Sequence, residues 1–138
     1  PSIQTLANAM DVGDPSNFAR IIDLYKGSHA DISAEISGAT YSDEQIAEAM
    51  RQCHATTGYV LDPHGACGYQ ALKDLLHEGE TGVFLETAHP AKFKEKVDSI
   101  LNADVEIPER LAEFMKRKKL SVPMSAQFCD FKDFLMSR

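Results

Sequence analysis

In the segment Glu86-Thr87-Ala88-His89-Pro90 a hydroxyl and an imidazole stand close together, where the apolar run Gly82-Val83-Phe84-Leu85 gives way to helix-forming sequence. A short apolar run of this kind reads as a strand inside a sheet. Pro90 suits the first turn of a following helix, because its missing N–H has no intrahelical partner there. Thr87 and His89 then belong at the carboxyl end of a strand, the edge at which open α/β sheets hold ligands. Two chemistries are open to the Thr87 hydroxyl: capping the amides of the helix that follows, or contacting a ligand. His89 can cap the turn or stand behind Thr87 in a site. Lys92 has the right functional group for a covalent carbonyl chemistry, but it falls in the first helical turn, where nothing in the sequence supplies the desolvation that lowers a lysine pKa.

A second group, Cys53, His54, His64 and Cys67, offers thiols and imidazoles, and His64 with Cys67 shares a helix face at i, i+3. The spacing matches no common zinc finger. Cys53 completes an apolar stripe and Cys67 lies between small residues, so these read as core cysteines and the chain as holding no metal. Asp62 before Pro63 reads as an N-cap, with His64 beside it. Asn8, Asp11 and Asn17 surround Asp14 and Pro15 and carry turn and cap chemistry, with the inner wall of a site as the alternative for that stretch. No run of closely spaced glycines opens a helix, so the sequence shows no phosphate-cradling loop.

The elements that must position these residues are mostly helices. Asp14 with Pro15 predicts a helix whose face carries Phe18, Ile21, Ile22 and Tyr25 until Gly27. Ser42 and Gln45 form a capping box ahead of Ile46, Met50 and Cys53 in a helix reaching about Gly58. Asp62 and Pro63 open a third, with Ala66, Tyr69, Leu72, Leu75 and Leu76 as its stripe before Gly79, expected to be the most buried of the set. Pro90 begins a helix carrying Phe93, Val97, Ile100 and Leu101. Pro108 begins another with Leu111, Phe114 and Met115 inward, and Met124, Phe128, Phe131 and Leu135 stripe a last one. Residues 83–86 form the clearest strand, with shorter ones over 36–41 and 59–61. The expected class is therefore α/β: helix-rich, with a few strands of an incomplete, mostly parallel sheet whose neighbouring strands lie outside the chain.

At 138 residues and 43% hydrophobic content the chain can bury one domain-sized core. Its net charge of −7 argues against nucleic acid or an anionic membrane as a partner. Lys116-Arg117-Lys118-Lys119 is the one basic cluster and reads as a solvated helix C-terminus. Three cysteines leave one outside any disulfide framework, and no long apolar run is present, which points to the cytoplasm. The chain begins at Pro1 in mid-pattern, as a segment of a longer polypeptide would.

Four stretches, taken together and in order, resemble the C-terminal part of the threonine synthase family. They are Thr5-Leu6-Ala7-Asn8-Ala9-Met10-Asp11-Val12 with Pro15-Ser16-Asn17-Phe18-Ala19-Arg20, then Gly58-Tyr59-Val60-Leu61-Asp62-Pro63-His64, then Thr87-Ala88-His89-Pro90-Ala91-Lys92-Phe93, and Ile107-Pro108. The resemblance implies that residues 1–138 are a single C-terminal segment of a fold type II pyridoxal 5'-phosphate enzyme. The family converts O-phospho-L-homoserine and water into L-threonine and phosphate. It implies further that Thr87 contacts the pyridine nitrogen, with His89, Asn8 and Asp11 as candidates behind it. The Schiff-base lysine and the phosphate loop would lie in an N-terminal part that this chain does not contain, so no catalytic residue is expected here and the segment alone should be inactive. It could self-associate through an unpaired sheet edge. Two other readings remain open beside this one: a helical interaction module docking through residues 124–135, and a small metal-binding domain.

Overall fold

The structure is a computed structural model that describes residues 3–9 and 12–137. Asp11 therefore lies outside the described residues. Seven α-helices occur among them: α1 (Phe18–Leu24), α2 (His29–Glu35), α3 (Asp43–Thr57), α4 (Pro63–Leu75), α5 (Lys94–Leu101), α6 (Glu109–Met115) and α7 (Phe128–Met136). A 3-10 turn, Pro90–Phe93, leads directly into α5. The chain divides into two compact units, residues 1–106 and 107–138.

The first unit is organised around α3. Ser42 accepts from the Gln45 amide while the Gln45 side chain reaches back to the Ser42 amide, which satisfies two N-terminal donors at once. At the other end Gly58 takes a left-handed conformation, φ 74°, and its N–H closes on His54 O. Between these caps Ile46, Ala49, Met50 and Cys53 face inward, joining Leu61, Ala66 from α4 and Val97 from α5 in one buried cluster. Leu6, Ala7, Phe84 and Phe93 pack around that cluster. The capping box and apolar stripe foreseen from the sequence are thus both present, but α3 rather than α4 is the most buried helix. The expected stripe of α4 runs out early: the helix stops at Leu75, and Leu75 and Leu76 are both exposed.

Loops are tied to this core by side chains from its helices. Asp43 Oδ1 accepts from the Leu6 amide at 2.8 Å, and Lys96 Nζ donates to Thr5 O at 3.2 Å and Leu6 O at 3.4 Å. At the end of α5, Asp98 Oδ1 accepts from the Val105 amide at 2.8 Å while its Oδ2 pairs with Lys94 Nζ at 2.7 Å. The Lys94 ammonium holds the Asp98 carboxyl below its usual range and is itself held charged by Asp104 and Asp98.

Several sequence expectations are corrected. No β-strand occurs among the described residues: 36–41, 59–61 and 83–86 make no ladder. A strand needs a neighbour to receive its N–H and C=O groups, and no other described segment of the first unit pairs with these. The helix-rich part of the expectation stands, and no sheet is formed among the described residues. Helix α1 begins at Phe18 rather than after an Asp14 cap, with Asn17 at the N-cap position making no side-chain cap bond. Helix α2, capped by Ser28 accepting from Asp31 N, carries too weak an apolar pattern to be read from sequence.

In the second unit, Phe114 and Met115 on α6 are exposed rather than inward, as are Phe128, Phe131 and Leu135 on α7, and Met124 precedes that helix. A unit this short does not enclose a core of its own. The basic residues after α6 start at its C-cap, Lys116, where they complement the helix dipole. No helix among the described residues is long and apolar enough to cross a membrane.

Met50 is fully buried at the centre of the cluster. Met50→Ala is expected to lower unfolding free energy by about 2–5 kcal/mol, read as a fall in the denaturant midpoint at unchanged slope.

Candidate functional site

Residues 82–88 alternate along their length. Val83 and Leu85 are 82% and 78% exposed, whereas Gly82, Phe84 and Glu86 turn the other way and lie on α4. The contacts run in antiparallel register: Gly82 against Leu72 and Leu76, Phe84 against Gly68, Glu86 against Gly65. Two glycines make that approach possible. A methyl group on Gly68 would sit 3.1 Å from Phe84 Cβ, and one on Gly65 would sit 1.7 Å from Glu86 Oε1. The ring of Phe84 meets Tyr69 edge-on, with centroids 6.1 Å apart at 71°. Period-two alternation without a ladder means that one face of an extended segment is buried by a helix and the other is left bare.

Thr87 follows on the bare face and is exposed. Its hydroxyl makes no hydrogen bond to any described residue. The cap that sequence reasoning offered as the alternative role of Thr87 is filled by His89, whose Nδ1 accepts from the Ala91 amide at 3.1 Å. That bond requires the ring proton on Nε2. Pro90 and Ala91 are buried behind it. His89 is therefore the element that starts the 3-10 turn, and Thr87 is the hydroxyl left over. Lys92 is exposed, its ammonium 5.6 Å from the Phe93 ring centroid, with no apolar enclosure around it.

Across from this turn, Asp62 caps α4. Its Oδ1 accepts from the His64 amide at 2.8 Å and lies 3.0 Å from His64 Nδ1. The His64 ring in turn packs on Phe93, centroids 5.2 Å apart at 48°. Asp62 is wholly buried, and its Oδ2, together with both carboxyl oxygens of Glu86, is buried without a donor among the described residues. Glu86 answers this environment. Burial first, and the neighbouring Asp62 carboxyl second, push its pKa up to about 7; the Asp62 amide opposes the rise but does not reach hydrogen-bonding geometry. Tyr59 in the same loop is also shifted up, by burial and then by Glu86.

The stretches singled out in sequence are thus partly brought together. Residues 61–64 and 84–93 meet through Asp62 with Glu86 and His64 with Phe93, while residues 5–7 are pinned to α3 and α5. Asn8 is half-buried beside them. Asn17 lies at the start of α1. The cysteines do not converge with histidines: Cys53 is in the core, Cys67 donates towards Pro63 O at 3.5 Å with its thiol pKa raised by burial, and Cys129 is exposed in α7. Among the described residues no group of three or more His, Cys, Asp and Glu side chains could hold a metal ion. Glu86 was missed by sequence reasoning. Its signal was present, as the one charged residue inside an otherwise apolar run.

The model for the C-terminal domain of threonine synthase matches residues 65–134. Threonine synthase from Serratia marcescens is 42% identical over 135 residues, which cover 98% of this chain and 31% of the relative; that from Escherichia coli (strain K12) is 40% identical over 133 residues, 96% of this chain and 31% of the relative. The crystal structure of the Escherichia coli enzyme superposes with a TM-score of 0.76 at 39% identity, over 99% of this chain and 31% of that one. The crystal structure of PLP-bound threonine synthase from Brucella melitensis superposes with a TM-score of 0.75 at 25% identity, over 86% of this chain and 31% of that one. The chain thus spans less than a third of the length of these relatives.

The different duties of Thr87 and His89 separate in stability. His89→Ala is expected to cost about 0.5–2 kcal/mol through loss of the cap, and Thr87→Val less than about 0.5 kcal/mol as an exposed substitution, both measured by denaturant unfolding.

Proposed function

Because this chain belongs to the threonine synthase C-terminal family, we propose that residues 1–138 are the C-terminal segment of a threonine synthase, whose complete polypeptide converts O-phospho-L-homoserine and water into L-threonine and phosphate with pyridoxal 5'-phosphate. The observation that carries the site assignment is the Thr87 hydroxyl, exposed on the bare face of the 82–88 segment while His89 does the capping. A hydroxyl can donate to an unprotonated pyridine nitrogen, whereas a carboxylate in that place would favour the protonated ring. The cofactor supplies the electron sink. This chain's part is to present one neutral donor at a fixed position, held by the His89 cap on one side and by the seating of Phe84 and Glu86 on α4 on the other. Asn8 and Asp11 are assigned to the wall behind it, with His89.

The rest of the cofactor site does not fit this chain. Gly65 and Gly68, the two glycines inside α4, are already covered by Glu86 and Phe84, so no phosphate cradle remains there. Lys92 lacks the enclosure of a cofactor-holding lysine. Both parts are assigned to the remainder of the polypeptide, and the same remainder is assigned the strands that would pair with residues 83–86 and cover Val83 and Leu85. In the isolated segment that edge is open to a second copy. This reading is consistent with a cytoplasmic enzyme.

Thr87→Asp in the complete enzyme should move the cofactor absorbance towards the protonated ring and lower turnover; an unchanged spectrum and rate would remove Thr87 from the ring nitrogen. The isolated 138-residue chain, incubated with pyridoxal phosphate and reduced with borohydride, should give no site-specific lysine adduct, and its mass by light scattering should rise with concentration. A stoichiometric adduct on one lysine, or a strictly monomeric and cooperatively melting chain, would count against the fragment reading.

A further inference from the structure

At the start of α4 three buried oxygen atoms have no donor among the described residues: Asp62 Oδ2 and both oxygens of Glu86. Two ionised carboxylates in such a place would leave three buried charged acceptors without a donor among the described residues, an arrangement that costs several kcal/mol. Among the described residues no basic group acts on Glu86; the ionisable groups beside it are Asp62 at the head of α4 and Tyr59 in the preceding loop, while His64 is turned to Asp62 and Phe93. One proton removes most of the deficit, since a carboxylic acid both donates and accepts. Asp62 already uses Oδ1 for the His64 amide, and Glu86 is the carboxyl of the two that burial and its neighbour push up, so the proton is assigned to Glu86.

We infer that Glu86 and Asp62 share one proton across the junction between the 82–88 segment and α4, and that this acid–carboxylate pair makes Glu86 a positioning residue for the neighbouring Thr87. Glu86 faces α4 and Thr87 the opposite side, so fixing one side chain of the extended segment fixes the direction of the next. A side chain at Gly65 would occupy the space of the Glu86 carboxyl and turn it out of this position. The positioning half of this inference rests on the proposed contact of Thr87 with the ring nitrogen; the shared proton does not.

The raised pKa sets the direction of the pH response. The folded chain keeps a proton that the unfolded chain releases from about 4.5 upward, so the contribution of the pair is full below about 4.5 and is lost as pH rises through about 7. The first test is a carbon-13 carboxyl titration of the 138-residue chain, with Glu86 assigned through Glu86→Gln. Glu86 should titrate near 7, and Glu86→Gln, which keeps a neutral donor, should flatten the fall in stability between pH 5 and 8. A midpoint near the ordinary glutamate value of about 4.3 overturns the shared proton.

The second test is in the complete enzyme. Glu86→Ala should lower kcat by about tenfold to a hundredfold with KM little changed, while Glu86→Gln restores kcat and removes the pH dependence near 7. If Glu86→Gln is as impaired as Glu86→Ala, the neutral-donor role is overturned. If Glu86 titrates near 7 but Thr87→Asp leaves the cofactor spectrum unchanged, the reading of Thr87 fails and the positioning role with it, and the shared proton stands.

Discussion

The absence of a Cβ at Gly65 and Gly68 sets how closely an extended segment can approach the helix that carries them. A Cβ at Gly65 would displace the Glu86 carboxyl, and one at Gly68 would press on Phe84 Cβ and ask it to give by a few tenths of an ångström. That approach is what divides the 82–88 segment into a seated face and a bare one. Everything at the candidate site follows from the division: Glu86 is forced against the buried Asp62, and Thr87, one residue on, is left outside.

A second constraint comes from capping. Helix starts need acceptors for their free amides, and the first unit supplies them from short polar side chains close in sequence: Ser42 for α3, Asp62 for α4, His89 for the turn before α5. Once His89 takes the Ala91 amide, the Thr87 hydroxyl has no structural duty among the described residues. Two neighbouring polar residues that looked equivalent in sequence are thereby separated into a structural one and one free for a ligand. The same capping logic puts Asp62 at the one place where a buried carboxylate is partly compensated, and so gives Glu86 an acceptor to face.

Much of the helical framework was legible from the chain alone, because its signals are local. The capping box at Ser42 and Gln45, the Asp62-Pro63 start and the Pro90 turn all depend on residues within four positions of each other. The Ile46, Met50 and Cys53 stripe needs only helical periodicity, and it is buried as that periodicity requires. What was misread depends on distant partners. Residues 83–86 have the composition of a strand, yet a strand exists only when another segment receives its hydrogen bonds. Leu75, Leu76, Phe114 and Met115 are apolar at helical spacing, but spacing cannot say whether anything covers them.

By itself the sequence determined where α3 and α4 begin, which face of α3 is apolar, and the order of stretches that marks the family, since each is encoded by neighbours along the chain. Tertiary structure alone decided that Glu86 meets Asp62 and that Phe84 sits on Gly68. Those outcomes turn on side-chain volume and direction between segments about twenty residues apart, where a single missing Cβ decides which atoms can touch.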